Sequence, residues 1–320
     1  DGQCFLFQID PDSAQPQTPR SFRAHGSSVS EAVFLPSGQS LITASADGQI
    51  RKWDFATGAI ETELPWAGPV TALSISNDGR YLLVGHAPVE GRELPVAQRF
   101  RIEGDALLAD SQLINQDPIG RRDWDNNQPT VQSVQFAKGN DRALVTLFFP
   151  TRPFGNGTVP TSDDRWTGYR MGYWSFNETQ RDFELIPSSK NGEISFAVLG
   201  EDPTGSQLLV VGGKGARLWA CDDEQALNFN RLTKSFRPAT AIASLDFASD
   251  PESGRCERLV VGDAEGNVRV WQLESDRWSE NAEAAQHLVG KHDAAIVSTF
   301  FRPDDPDRMI SADRRGHWKL

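Results

Sequence analysis

Residues 24–54 read AHGSSVSEAVFLPSGQSLITASADGQIRKWD. Three short runs, VSEAVF, SLITAS and QIRKW, are rich in β-branched and apolar residues. Each is bounded by turn formers, PSG after the first and DG after the second. That pattern predicts antiparallel strands joined by tight turns. Neither apolar repeat spacing nor length supports a helix here.

The same unit recurs along the 320-residue chain. Residues 47–53 (DGQIRKW) have counterparts in residues 1–7 (DGQCFLF), 265–271 (EGNVRVW) and 315–320 (RGHWKL), with looser copies at 215–219 (GARLW) and 169–174 (YRMGYW). The opening run recurs at 29–34 (VSEAVF), 70–75 (VTALSI), 131–136 (VQSVQF), 194–199 (ISFAVL), 242–247 (IASLDF) and 296–301 (IVSTFF). After each comes a turn and then a strand of small and apolar residues such as YLLVG, LLVVGG or MISAD. Each unit is therefore expected to be a four-stranded antiparallel meander. One meander cannot bury both faces alone, but neighbours stacked radially do so. The fold class is all-β, a β-propeller of four-stranded blades. Seven blades are expected in the parent, with six closed by the two chain ends as the alternative. Residues 4–9 and 20–24 supply a third and a fourth strand, and the unit opening at 296 lacks its fourth. Both ends fall inside strand-like patterns, so residues 1–320 are expected to be a single domain excised from a longer chain. Residues 282–288 allow one helical turn at most.

These units resemble the tryptophan-aspartate (WD) repeat of β-propellers. The resemblance is most specific from His25 to Asp54, and it extends at lower specificity over nearly the whole chain. It implies a buried hydrogen-bonded tetrad of His25, Ser45, Asp47 and Trp53. In the last unit His292 is kept, but Asp313 stands at the serine position and Arg315 at the turn-aspartate position. In the unit ending at Trp271, Asp263 and Glu265 occupy those two positions.

Composition narrows the functional classes. The chain has 32 Lys and Arg against 44 Asp and Glu, a net charge of −12. That argues against a dedicated nucleic-acid binder and against an anionic membrane surface as partner. No apolar run reaches the length of a membrane span. No signal peptide is visible, and the cytoplasm is the favoured compartment. The three cysteines (Cys4, Cys221, Cys256) form neither a disulfide framework nor a zinc motif. No metal-binding histidine pattern, nucleophile elbow or phosphate-binding loop is present. No cofactor or metal is expected. Asp123, Asp125 and Asn127 mimic the start of a calcium loop but lack its glycine and later glutamate.

The insertions carry the functional signal. Residues 88–95, 115–130 (NQDPIGRRDWDNNQPT) and 150–168 (PTRPFGNGTVPTSDDRWTG) replace tight turns. The connection between the second and third strands and the one leading to the next unit leave a meander from the same end. All three insertions are thus expected on one face over neighbouring blades. Residues 116–170 hold seven basic and six acidic residues, nearly neutral in an acidic chain. Arg121, Arg122, Trp124, Arg152, Phe154, Arg165, Trp166 and Tyr169 are residue types that dominate binding hot spots. The expected role is a non-catalytic scaffold that binds a protein or peptide there, fused to other domains in its parent. The alternative is a propeller hydrolase or oxidoreductase with its site at the channel mouth.

Overall fold

The computed structural model describes residues 2–6, 20–66, 68–89, 95–113, 129–137, 140, 142–149, 168–176, 183–186, 194–201, 207–213, 216–221, 231–236, 241–249, 256–272, 286–302 and 305–319. Among them there are 25 strands and no helix. Two compact units are formed, Asp1–Leu185 and Ile186–Leu320.

In the first unit, β1 (Gln3–Leu6) and β2 (Arg20–Arg23) form a two-stranded antiparallel sheet. Three four-stranded sheets follow. The first is β3 (Val29–Phe34), β4 (Ser40–Ser45), β5 (Gln49–Asp54) and β6 (Ile60–Pro65). The second is β7 (Val70–Ile75), β8 (Tyr81–His86), β9 (Ala97–Glu103) and β10 (Ala106–Leu113). The third is β11 (Thr130–Phe136), β12 (Arg142–Phe149), β13 (Gly168–Ser175) and β14 (Phe183–Ile186). The second unit has β15 (Ile194–Glu201), β16 (Gln207–Gly213), β17 (Ala216–Cys221) and β18 (Arg231–Phe236), then β19 (Ile242–Ser249), β20 (Cys256–Asp263), β21 (Asn267–Gln272) and β22 (Gln286–Lys291). It ends with a three-stranded sheet of β23 (Ile296–Arg302), β24 (Asp305–Asp313) and β25 (Trp318–Lys319). Strands pair in sequence order within every sheet, as a meander requires. These sheets are consistent with the blades of a WD-type propeller. The helical turn allowed over 282–288 does not form at 286–288. Those residues belong to β22, where Trp271 pairs with Gln286 and Val270 with His287, because the open edge of β21 offers a ladder that a helical turn would forgo.

Neighbouring sheets pack through a repeated fit. The residue just before the end of the second strand is small: Ala44, Gly85 and Gly262. A β-branched residue at the start of the next first strand sits on it. A Cβ on Gly85 would lie 2.3 Å from Val131 Cγ1, and one on Gly262 would lie 2.3 Å from Ile296 Cγ2. Ala44 and Val70 share one buried cluster with Ile42, Ile50, Leu82 and Phe100. The small-residue strands visible in the sequence thus make room for the adjoining blade.

First strands have no ladder on their inner edge, and polar side chains from the preceding first strand serve it. Ser244 Oγ accepts the N–H of Thr299 (2.8 Å), and Asp246 Oδ2 accepts that of Phe301 (2.9 Å). Ser74 Oγ accepts the N–H of Phe136 (3.3 Å), and the Thr71 hydroxyl donates to Val131 O (2.6 Å). These bonds answer the requirement that buried backbone groups be paired. A buried cation ties a further pair of sheets: Lys52 Nζ lies 2.8 Å from Glu61 Oε2 and donates to Gly104 O at 2.8 Å.

Candidate functional site

In three of the sheets the turn from the second strand to the third is built around a glycine with positive φ, Gly48, Gly266 and Gly316. At Gly48 (φ 77°) and Gly266 (φ 87°) a side chain is excluded twice over, by the left-handed backbone and by space. A Cβ on Gly266 would lie 2.4 Å from His292 O, and one on Gly48 would lie 3.0 Å from Trp66 O. The turn therefore abuts the connection leading to the next first strand. Trp66 N–H donates to Gly48 O (2.6 Å) and His292 N–H to Gly266 O (2.8 Å).

Beneath the Gly48 turn lies a polar chain. Trp53 Nε1–H donates to Thr43 Oγ1 at 2.8 Å, and the same hydroxyl lies 2.8 Å from His25 Nε2. His25 Nδ1 faces Asp47 Oδ1 at 3.3 Å. Asp47 accepts the N–H of Gln49 on Oδ1 (2.9 Å) and that of Gly26 on Oδ2 (3.0 Å). Donor chemistry gives the chain a direction. The Asp47 carboxylate can only accept, which favours the imidazole proton on Nδ1, toward it; Nε2 then accepts the Thr43 proton, and the Thr43 oxygen accepts the indole N–H. Burial pulls the His25 imidazole below its ordinary pKa, against the opposing pull of Asp47. Burial also works against the Asp47 charge, but the N–H groups of Gln49 and Gly26, His25 and the Ser45 hydroxyl outweigh it and hold the carboxyl below its usual range.

The hydroxyl in this chain is Thr43, where the tetrad reading placed Ser45. Strand pairing explains the difference. Trp53 is paired with Leu41, and Thr43 is its diagonal neighbour on the same face, within reach of an indole. Ser45 is two residues further along the strand, about 7 Å beyond Thr43. Ser45 instead accepts the N–H of Asp47 on its Oγ (3.1 Å) and shapes the turn. His25, Thr43 and Ser45 are buried, and Trp53 is 6% exposed. Trp53 anchors the sheet beside it as well: its ring meets Phe22 edge-on at 4.9 Å, in a cluster with Ala24, Leu41, Cys4 and Leu6.

A second chain, with the acid moved by two residues, closes the last sheet. His292 Nε2 lies 2.8 Å from Ser311 Oγ, and His292 Nδ1 faces Asp313 Oδ2 at 3.4 Å. Ser311 corresponds to Thr43, so the hydroxyl place is filled by Ser311 and Asp313 acts as the acid from the end of the strand. Asp313 Oδ1 accepts the N–H groups of Arg315 (2.8 Å) and His317 (3.0 Å). Burial disfavours its charge, but those two N–H groups and the His317 imidazole hold its carboxyl below the ordinary range. Asp263, at the same strand position, accepts the N–H groups of Glu265 and Asn267 (both 2.9 Å) and pairs with Arg269 at 2.6 Å. The sequence signal for this shift was the recurrence of Asp at the strand end, in VVGD and ISAD.

His86, also buried, spans the two ends of the 88–95 insertion. Its Nδ1 lies 2.9 Å from Ala87 O, and its Nε2 faces Pro95 O. Of the expected partner-binding residues, Arg121, Arg122, Trp124, Arg152, Phe154, Arg165 and Trp166 lie outside the described residues. Tyr169 belongs to β13, paired with Phe148. Among the described residues no group of three or more His, Cys, Asp or Glu is arranged to hold a metal ion. No helix among them is long and apolar enough to cross a membrane.

Residues 16–54 match the family model described as "WD domain, G-beta repeat". The matched segment carries His25, Thr43, Ser45, Asp47 and Trp53, and it is consistent with a member of the WD-repeat family. A search of curated proteins found no match. WD repeats generally mediate protein–protein contacts and are typically non-catalytic.

Proposed function

We propose that residues 1–320 act as a non-catalytic interaction module that binds a protein or peptide on the face carrying the 88–95, 115–130 and 150–168 insertions. The observation that carries the reading is where the candidate catalytic groups have gone. His25 and His292 are buried and engaged with hydroxyls and carboxylates of the blade framework, and His86 is engaged with two carbonyls. An imidazole held in this way serves the fold. Strand alternation supports the common face: the β4–β5 turn contacts the β6–β7 connection, and the insertions occupy the corresponding β8–β9, β10–β11 and β12–β13 connections. Their Arg and aromatic residues supply planar hydrogen-bonding forks and large apolar anchors.

The test is capture of binding proteins by the full chain, followed by binding kinetics of each captured protein at two ionic strengths. Trp124→Ala or Trp166→Ala is expected to weaken binding by about 2 kcal/mol. Arg121→Ala with Arg122→Ala is expected chiefly to slow association and flatten its salt dependence. Unchanged binding in all these variants would overturn the assignment of the face.

A further inference from the structure

We infer that the β24–β25 turn, with Arg314, Arg315 and the neighbouring Lys291 and Lys319, is a docking site for a Glu/Asp-rich segment of a partner protein. The inference rests on the interaction-module reading and adds to it a second contact and the chemistry of what binds there.

Several arginines elsewhere in the chain direct their charge onto its own carboxylates, and Arg20 and Arg23 donate to backbone carbonyls. Arg51 pairs with Glu63, Arg99 with Asp110, Arg101 with Glu103, Arg258 with Asp307 and Arg269 with Asp263. Arg314 and Arg315 are exposed, and neither guanidinium has an acceptor among the described residues. They are brought next to further cations by the local fold. Arg314 N–H donates to Ala295 O (3.0 Å), which seats the turn on the β22–β23 connection, and Lys319 Nζ donates to the carbonyl of Lys291 (2.5 Å). Lys291, Arg314, Arg315 and Lys319 are all exposed, against two exposed carboxylates on the adjoining segments, Glu265 and Asp293. This is a local cationic surface on a chain of net charge −12.

The turn is rigid for a reason already described. Asp313, buried beneath it, takes the N–H groups of Arg315 and His317, and Gly316 N–H donates to Asp313 O (3.0 Å). With Arg314 N–H on Ala295 O, all four backbone N–H groups from 314 to 317 are used internally. That narrows the ligand class: a phosphate nest needs free backbone N–H groups, and none remains from 314 to 317. Side chains alone face outward, spread over a turn and the strands beside it, which suits several carboxylates spaced along an extended chain. A long polyanion such as a nucleic acid would carry its charge beyond the patch into the acidic field of the rest of the chain.

The test is fluorescence anisotropy of the full chain with fluorescein-labelled octaglutamate, at about 25 and 250 mM salt, across which screening shortens severalfold. Binding is expected at low salt and should weaken at high salt. Arg314→Glu with Arg315→Glu should lower the affinity about tenfold or more, with an unchanged melting temperature. Arg80→Glu, an exposed charge in the other unit, should leave it unchanged. Lys291→Glu should give a smaller loss in the same direction, and it serves as the reporter if the double variant is unstable. Equal affinity of octaglutamate for wild type and the folded charge-reversal variants would overturn the inference. So would tighter binding of octathymidylate, which would reassign the patch to nucleic acid, or of a peptide with one phosphoserine, which would reassign it to phosphate. Either failure leaves the Trp124 and Trp166 dependence of protein capture untouched, so the two readings fall separately.

Discussion

Replacing Thr43 with valine isolates the bridging hydroxyl of the first polar chain. Val and Thr have nearly the same shape, so the substitution removes an O–H and leaves no cavity. Thr43 is fully buried, and its Oγ1 accepts the N–H of Trp53 Nε1. The variant strands that indole N–H in the core, at about 1–3 kcal/mol. It also deprives His25 Nε2 of its donor, so the total loss is expected at about 2–4 kcal/mol. Ser45→Ala removes an acceptor for the N–H of Asp47 and a hydroxyl that favours the Asp47 carboxylate, both in an exposed turn where water can replace them. That loss is expected at about 0.5–1.5 kcal/mol. Urea denaturation of both variants measures the order directly. A double-mutant cycle with Trp53→Phe, which deletes the indole N–H, should give a coupling of about 1–2 kcal/mol with Thr43→Val and near zero with Ser45→Ala. A larger loss for Ser45→Ala, or no coupling between Thr43 and Trp53, would refute the chain as drawn and return the bridging role to Ser45.

Three further outcomes are expected. Asp313 has a lowered pKa, so its contribution to stability is present above the ordinary carboxylate value of about 4 and lost as pH falls below it, through the lower pKa of the folded state. Asp313→Asn keeps an acceptor but no charge, and its deficit in denaturation midpoint at pH 7 should shrink below that pH; a pH-independent deficit would refute the assignment. Asp246 has the opposite sign: burial, only partly offset by the N–H groups of Phe301 and Phe247, raises its carboxyl to about 6, so its cost to the fold sets in above about pH 4 and is complete above about 6. Asp246→Asn should therefore be more stable at pH 7 by up to about 3 kcal/mol, with the gain vanishing below about pH 4; equal stability at neutral pH would refute it. Gly262→Ala places a methyl against Ile296 and should lower stability by about 1–3 kcal/mol, a loss that Ile296→Ala should partly relieve if the close fit is its cause.

The meander was legible in the sequence because strand formation is local. Alternating apolar runs, their turn residues and the repeated DG or EG before the third strand identify β3 and β7 to the residue, and β11, β19 and β23 to within two. His25, Asp47 and Trp53 could be named for the same reason: their residue types are distinctive and their places in the repeat are constant. The choice of hydroxyl was different. Thr43 and Ser45 lie on the same face of one strand, and only the register that sets Trp53 opposite Leu41 decides which of them the indole reaches. The second polar chain was hidden because its acid moved from the turn to the strand end, a shift that keeps its distance to His292 in space while breaking the spacing in sequence. The glycines at 85 and 262 likewise read as generic small residues until the neighbouring strand laid Val131 and Ile296 against them. Local pattern determines which segments become strands and where they turn. Which polar groups meet is decided by pairing register and by the packing of one sheet on the next, and neither is a property of any single stretch of sequence.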